Sequence, residues 1–185
     1  LKVENQKIIL KMGTIHFPLS TFHLSIGCGS GLWEIKQMFE NPVSNLILLD
    51  PNKELLNTED VYATVQYFSK IYQKELSTNI RILQQKAIEI PLKDETVDEI
   101  WFYNSLHEID YLEECIQECF RLLKSNGKII IEEELSHNER KIHEGCLKPL
   151  FFEKEIIDLF EKFKLLSNEP KDEKANYLRF EISKS

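Results

Sequence analysis

The chain has 185 residues, of which 42% are hydrophobic and 29% charged, and its formal net charge is −8. These values are typical of one globular domain, so we expect residues 1–185 to form a single unit. The acidic excess argues against nucleic acid as a partner, since phosphate recognition normally requires a basic patch. No apolar run approaches the roughly 20 residues of a membrane span.

The cysteines and the first residues bear on the cellular compartment. The four cysteines show no disulfide-framework spacing, and no charged-then-apolar secretory leader follows Leu1. We therefore expect reduced thiols in a cytoplasmic protein, with Cys115 and Cys119 buried on one helix. His143 and Cys146 are potential zinc ligands, but two candidates three residues apart are a weak signal, and the sequence predicts no metal site.

Apolar runs alternate with helical periodicities along the chain. In chain order, the patterns predict a strand at 21–26, a helix at 32–40, a strand at 45–50, a helix at 59–76, strands at 79–85 and 96–104, a helix at 111–124 ended by a glycine at 127, a strand at 127–134, a helix at 153–163, and strands at 164–169 and 176–183.

The order of these elements predicts an α/β fold. Strands that alternate with helices form a parallel sheet covered on both faces. The last two strands have no helix between them, so we expect them to pair antiparallel. The predicted architecture is a doubly wound, Rossmann-like, mostly parallel seven-stranded sheet with a C-terminal antiparallel strand pair.

Three of the six glycines occupy every second position directly after the first strand, at Gly27, Gly29 and Gly31. Glycine loses more conformational entropy on folding than other residues, so this cluster indicates a backbone that passes close to a ligand. Asp50 ends the second strand, 19 residues after Gly31. Ligands bind at this edge of an open parallel sheet, where a carboxylate can accept both hydroxyls of a ribose. The pair therefore predicts a nucleoside site.

Four segments in order resemble the class I S-adenosylmethionine-dependent methyltransferases. They are the glycine loop "LSIGCGSG", the acidic strand end "LILLDP", the post-strand segment "KAIEIPLKDETVDEI" and the helix-to-strand run "CFRLLKSNGKIIIEE". The resemblance covers roughly residues 21–135 and is nearest to the small-molecule branch that includes quinone-biosynthesis methyltransferases. The tight G-x-G-x-G spacing differs from the dinucleotide fingerprint G-x-G-x-x-G, so a nicotinamide-dependent oxidoreductase is less favoured.

The resemblance implies S-adenosylmethionine as the cofactor and assigns its contacts. It implies that the methionine part lies on Gly27, Cys28 and Gly29, the ribose on Asp50, the adenine between Pro51 and the pair Ala87 and Ile88, and the methyl group near Asn104. Asp50 as a simple strand cap, and Ala87 and Ile88 as simple core residues, are the structural alternatives.

Two positions depart from the family pattern. Ser25 replaces the acid that usually helps to place the methionine amino group, and Lys86 replaces the acid that commonly reads the adenine amino group. Both changes remove negative charge near a cationic sulfonium, so cofactor binding is expected to be weaker unless another acid such as Glu132 compensates. Restoring both acids should then strengthen binding.

The catalytic candidate is His107, in "FYNSLHEI" after the fourth strand. Its unperturbed pKa near neutrality suits a general base, although a lone histidine more often caps or packs the following helix. The sequence "YNSL" is not the "NPPY" type motif of amino-group methylases of DNA and of protein glutamine. With the acidic charge, this favours a small-molecule acceptor.

Segments 1–18 and 136–152 are expected to cover the substrate pocket. The predicted function is methyl transfer to a small molecule by in-line displacement, in which alignment and exclusion of water do most of the work. The alternative is a methyltransferase-like binding module that has lost turnover, as the residues at positions 25 and 86 would permit.

Overall fold

The computed structural model describes residues 21–171 and 177–184, and they contain one seven-stranded sheet. Its strands run in the order β3-β2-β1-β4-β5-β7-β6. Their bounds are β1 Phe22–Ile26, β2 Asn45–Leu49, β3 Asn79–Leu83, β4 Val97–Tyr103, β5 Leu123–Glu134, β6 Lys164–Pro170 and β7 Tyr177–Ser183. The first five strands pair in parallel, and β7 pairs antiparallel with both β5 and β6. The predicted fold class is confirmed.

Four helices cover the two faces of the sheet: α1 Leu32–Glu40, α2 Thr58–Tyr72, α3 Leu112–Leu122 and α4 Glu153–Leu159. Asn57 caps the amino end of α2, because its side-chain oxygen accepts a hydrogen bond of 2.9 Å from the Asp60 N–H. Helices α1 and α2 pack on one apolar core, and α3 and α4 pack on the other. Strand residues alternate between the two cores, as Ile130 and its neighbours Ile129 and Ile131 do in β5.

The third helix and the fifth strand meet differently from the sequence prediction. Helix α3 ends at Leu122 and β5 begins at the next residue, because Leu123 already pairs with Val97 of β4. The predicted glycine stop at position 127 is wrong, since the left-handed residue is Asn126, with a φ of 64°. The intervening residues form a bulge in the ladder, across which Lys124 contacts the Asp98 carboxylate at 2.8 Å.

Other predictions concern burial and the covering segments. Cys115 and Cys119 are fully buried on the inner face of α3, as predicted. Segment 1–18 lies outside the described residues. Segment 136–152 runs from β5 to α4 without regular structure apart from two isolated bridges, one of which joins Ser136 to Phe152. No helix in the described part of the chain is long and apolar enough to cross a membrane.

Candidate active site

A cavity of about 440 Å³ opens at the carboxyl ends of β1, β2 and β4, where the strand order reverses. Nine of the ten residues predicted to bind the cofactor line it: Gly27, Cys28, Gly29, Asp50, Pro51, Lys86, Ala87, Ile88 and Asn104. The tenth, Ser25, lies within β1 and is fully buried. Residues 108–111 form a further part of the wall.

The three glycines of the β1–α1 loop all have a positive φ, but they serve different purposes. A Cβ at Gly27 would lie 2.7 Å from the Ser105 Cβ, and one at Gly31 would lie 2.7 Å from a methyl of Leu48. A Cβ at Gly29 would meet no atom of the described residues within 4 Å. Gly27 and Gly31 therefore allow the loop to pack closely against neighbouring residues of the same domain. Of the three glycines, only Gly29 faces open space, where a ligand fits.

Asp50 holds the loop from the end of β2. One carboxylate oxygen accepts the Gly29 N–H at 2.9 Å, and the other accepts the Asn52 N–H at 2.8 Å. An ionised carboxylate offers about four acceptor positions, so both oxygens keep capacity for ribose hydroxyls. Asp50 is thus both a loop anchor and a polar group in the cavity wall.

The same loop argues against a pyrophosphate ligand. The N–H groups of Gly27 and Cys28 are bonded to the Leu49 carbonyl, and the Gly31 N–H is bonded to the Cys28 carbonyl. Pyrophosphate recognition requires such donors to be open, with no acid beside them. Here Asp50 takes the Gly29 N–H and Glu34 lies buried in the first turn of α1. The site therefore suits a cofactor without phosphates.

The adenine end predicted from the family is built from short apolar residues and one cation. Ala87 is buried in the cavity wall, which Ile88 and Pro51 also line. Lys86 places its ammonium 4.2 Å from the ring centroid of Tyr111, which also lines the cavity. This cation–π contact links the loop after β3 to the loop after β4.

Asn104 ends β4 in a left-handed conformation, with a φ of 51°. Its N–H donates to the Glu132 carbonyl at 2.7 Å, while its side-chain oxygen is buried and has no hydrogen-bond partner among the described residues. Buried acceptors normally have a hydrogen-bond donor, so the bare Asn104 oxygen indicates that a bound ligand supplies one. Asn104 also lines a second cavity of about 390 Å³ with the aromatic residues Trp33, Tyr103 and Tyr177.

A buried carboxylate lies next to Ser25, at the position where the family acid is missing. The Ser25 hydroxyl donates to Glu34 at 2.7 Å, and Glu34 is only 2% exposed. Burial raises the pKa of Glu34 to about 7, against the opposing effect of the Ser25 hydrogen bond. Glu132 is engaged elsewhere, since its carboxylate pairs with Arg179 and Lys171. A carboxyl group is therefore present beside Ser25, on α1 instead of β1, but it does not line the cavity.

The pKa of the Cys28 thiol is raised by burial and by the charges of Glu34 and Asp50. This thiol stays neutral at physiological pH and is a poor nucleophile. Cys28 therefore contributes shape to the cavity wall rather than chemistry.

His107 lies in a 3₁₀ turn, Leu106–Glu108, and does not line the cofactor cavity. Its side chain is fully buried, and its Nδ1 lies 2.8 Å from the carboxylate of Glu133, which is also fully buried. Burial lowers the pKa of His107, but the hydrogen bond and charge of Glu133 outweigh this and raise it overall. The structure thus places the predicted base beside the cavity, behind Glu108.

Sequence reasoning missed Glu34 and Glu133, although each leaves a signal. Glu34 precedes Ile35 and shares the buried side of α1 with Met38. Glu133 continues the alternation of Ile129 and Ile131, so it occupies an inward position of β5. In both cases the signal is an acid at a position that the periodicity assigns to the core.

The fold and this cavity define a doubly wound protein with a nucleoside-cofactor site. A family model described as a methyltransferase domain matches residues 24–131, more than half of the chain. The chain belongs to this family of class I S-adenosylmethionine-dependent methyltransferases, and S-adenosylmethionine is its cofactor.

Three individual proteins that are similar to this chain share at most 30% of its residues over the matched regions. A demethylmenaquinone methyltransferase from Lactobacillus johnsonii is 30% identical over 115 residues, which are 60% of this chain and only 43% of that protein. The 1,6-didemethyltoxoflavin-N1-methyltransferase of Burkholderia thailandensis, solved with 1,6-didemethyltoxoflavin and S-adenosylhomocysteine, is 18% identical and has a TM-score of 0.65 over 89% of this chain and 71% of that one. The [4+2]-cyclase SpnF is 14% identical and has a TM-score of 0.69 over 89% and 74%. Such a fold therefore does not by itself specify the reaction.

Replacing Asp50 tests the ribose assignment. We expect Asp50→Ala to weaken S-adenosylmethionine binding by about 1–3 kcal/mol, because ribose hydroxyls and the Gly29 N–H lose a charged acceptor. Titration calorimetry with adenosine and with methionine should show a larger loss for adenosine. The exposed neighbour Glu54→Ala serves as the control, and equal affinities of wild type and Asp50→Ala would contradict the assignment.

Glu34 should make stability depend on pH. Its pKa is about 7 in the folded protein against an ordinary value of 4.5, so the native state holds a proton that the unfolded state releases. Stability contributed at low pH is therefore lost as the pH rises from 4.5 to 7. Glu34→Gln should be about 1–3 kcal/mol more stable than wild type at pH 8 and nearly equal at pH 4.5, measured by urea unfolding. Glu75→Gln, an exposed control, should show no such difference, and a Glu34→Gln protein that is less stable at pH 8 would contradict the prediction.

The position of Glu34 reverses the expectation for Ser25→Asp. A second carboxyl would stand against Glu34, and two carboxylates at this distance share one proton at a cost. We expect Ser25→Asp alone to lower stability without strengthening cofactor binding. The double variant Ser25→Asp with Glu34→Gln should regain the stability and should also show the strengthened cofactor binding. Calorimetry and urea unfolding of the four proteins form a double-mutant cycle, and additive effects would show that the two side chains do not interact.

Proposed function

We propose that this chain transfers the methyl group of S-adenosylmethionine to a small-molecule acceptor that binds beside Asn104. The observation that carries the proposal is the cavity at the carboxyl edge, which is lined by Gly29, by Asp50 and by Asn104, whose buried side-chain oxygen has no hydrogen-bond partner in the described part of the chain. Each of these three features fits a part of the cofactor: the methionine backbone, the ribose and the ammonium or sulfonium end.

The residues of the cavity would divide the work of holding the cofactor. Asp50 accepts the ribose hydroxyls, Ala87 and Ile88 contact the adenine, and the Asn104 oxygen accepts from the amino group. Lys86 and Tyr111 close the adenine end, since their contact spans the cavity wall. When bound, S-adenosylmethionine supplies a methyl group on a sulfonium that is strongly activated for displacement. The protein then needs chiefly to align the acceptor and to exclude water.

The second cavity supports an aromatic or quinone-like acceptor. It shares Asn104 with the cofactor cavity, and its wall combines the aromatic residues Trp33, Tyr103 and Tyr177 with polar and charged residues of α1 and β5. Aromatic side chains stack well on flat rings, which gives a planar acceptor a route to the methyl group. The demethylmenaquinone and 1,6-didemethyltoxoflavin in the names of two similar proteins are small molecules of this shape.

Segment 136–152 would cover the site from the other side. Lys148 bonds both the Glu108 carbonyl, at 3.1 Å, and the Asp110 carboxylate, and both of these residues line the cofactor cavity. At the far end of the segment, Arg140 makes a bidentate contact with Glu155 of α4. A segment tied at these points can exclude water from the methyl group, and segment 1–18 is proposed as a second cover.

A binding module without turnover remains the alternative that the sequence raised. Its main support was the loss of acids at positions 25 and 86. Glu34 weakens that support, because a carboxyl is again present beside Ser25. His107 as general base stays a prediction, since its Nε2 would need a path past Glu108 to reach an acceptor.

Turnover distinguishes the two functions. The full chain should release S-adenosylhomocysteine when it is mixed with S-adenosylmethionine and a panel of quinols, phenols and aromatic amines, as followed by mass spectrometry. Asn104→Ala should lower turnover more than tenfold through lost alignment, while the control Asn79→Ala, at an exposed position where β3 begins, should retain wild-type activity. Cofactor binding without turnover of any member of the panel would favour the binding module.

A further inference from the structure

Four potential metal ligands meet beside the cofactor cavity. His107, Glu108, His143 and Cys146 each offer one ligand atom, and these atoms all lie within 4.8 Å of one another. The first two come from the turn after β4, and the last two from segment 136–152. In the sequence they are separated by 34 residues or more, so only the fold brings them together.

His107 is oriented as a metal ligand. Its side chain is fully buried, and its Nε2 has no hydrogen-bond partner among the described residues. Its Nδ1 lies 2.8 Å from the buried Glu133 carboxylate, whose other oxygen accepts the Leu106 N–H. A carboxylate that accepts from one imidazole nitrogen leaves the lone pair on the other, which is the usual outer-shell arrangement of metal-bound histidine.

His143 and Cys146 have the spacing of a zinc half-site, His-x-x-Cys. The His143 Nδ1 lies 3.2 Å from the Cys146 Sγ, and the two histidine rings have centroids 4.8 Å apart. Zinc bonds of about 2.3 Å to sulfur and about 2.0 Å to nitrogen separate tetrahedral ligands by roughly 3.3–3.6 Å. The widest separation in the cluster therefore needs to close by only about 1 Å.

We propose that His107, Glu108, His143 and Cys146 bind a zinc ion that joins segment 136–152 to the turn after β4. Two imidazoles, one thiolate and one carboxylate form a donor set that Zn²⁺ accepts, whereas Mg²⁺ and Ca²⁺ prefer oxygen ligands. Glu108 is the most exposed of the four, with half of its side chain accessible, and it also lines the cofactor cavity. The zinc ion would therefore fix the wall of the cavity next to the methyl-transfer site.

This inference goes beyond the proposed function and excludes one part of it. The Nε2 lone pair of His107 cannot bind zinc and accept a proton from the acceptor molecule at the same time. A zinc site thus makes His107 a structural ligand and removes it as the general base. The cofactor site itself does not depend on the metal, because its contacts come from other residues.

Metal titration of the full chain tests the site. After chelator treatment and dialysis, wild type should bind one Zn²⁺ per chain. With Co²⁺ as a probe, it should show the absorption of a tetrahedral site and a thiolate-to-metal charge-transfer band. Cys146→Ser should lose that band, and His143→Gln should lower the affinity at least tenfold. Both positions are only partly buried, so the variants should remain folded.

Replacing Glu133 tests whether its carboxylate orients His107 for metal binding, which a purely structural role of Glu133 would not require. Glu133→Gln should present an amide donor to His107 Nδ1, which moves the proton of the ring to Nε2 and lowers zinc affinity by about 10–100-fold. The control His137→Gln, an exposed histidine on the same segment, should bind as wild type does. Absence of stoichiometric binding, or a charge-transfer band that persists in Cys146→Ser, would overturn the proposal.

Calorimetry with S-adenosylmethionine, carried out on metal-free and zinc-loaded protein, separates the two proposals. Cofactor binding in a protein that takes up no zinc overturns only the metal site. Zinc uptake in a protein that does not bind the cofactor overturns only the proposed function.

Discussion

The close packing of the β1–α1 loop against its two neighbours sets the geometry of the whole site. A Cβ at Gly27 would lie 2.7 Å from the Ser105 Cβ after β4, and one at Gly31 would lie 2.7 Å from a methyl of Leu48 in β2, so a side chain at either position would force its neighbour to move. Ser105 in turn donates to the Ile26 carbonyl at 2.8 Å. The loop is thereby held between the strands on either side of β1, and the cavity forms where only Gly29 remains uncovered. A ligand site here is a consequence of how tightly the rest of the loop is packed.

Most of the fold could be predicted because it depends on local patterns. Apolar-rich stretches of six to nine residues identified the strands, and the absence of a helix before the last strand predicted its antiparallel pairing. The end of α3 was mispredicted because it depends on a non-local constraint, the pairing of Leu123 with Val97. The glycine at position 127 read as a helix stop in the sequence, whereas Asn126 takes the left-handed conformation in the structure.

The candidate site likewise contains residues that the sequence could place and contacts that it could not. Residues that follow strands directly, such as Asp50 and Asn104, could be placed from the sequence, since parallel strands end at one edge of the sheet. Contacts between irregular segments could not, and the approach of His143 to His107 is of this kind. No periodicity relates the loop between β5 and α4 to the turn Leu106–Glu108 after β4. The family pattern could not predict Glu34 either, because the pattern has its acid on the first strand, whereas Glu34 lies on helix α1.

The buried charged groups locate the chemistry of the molecule. Within the described residues, the buried carboxylates and imidazoles are Glu34, Asp50, His107 and Glu133, and all four lie at the carboxyl edge of the sheet. Burying an ionisable group costs free energy unless partners compensate, so stability alone would not concentrate them there. Asp50 lines the cofactor cavity, and Glu34 accepts a hydrogen bond from Ser25 in the neighbouring strand β1. Glu133 and His107 stand on the side of segment 136–152, where a buried carboxylate bonded to an imidazole requires a positive charge, from a proton or from a metal ion, to balance it.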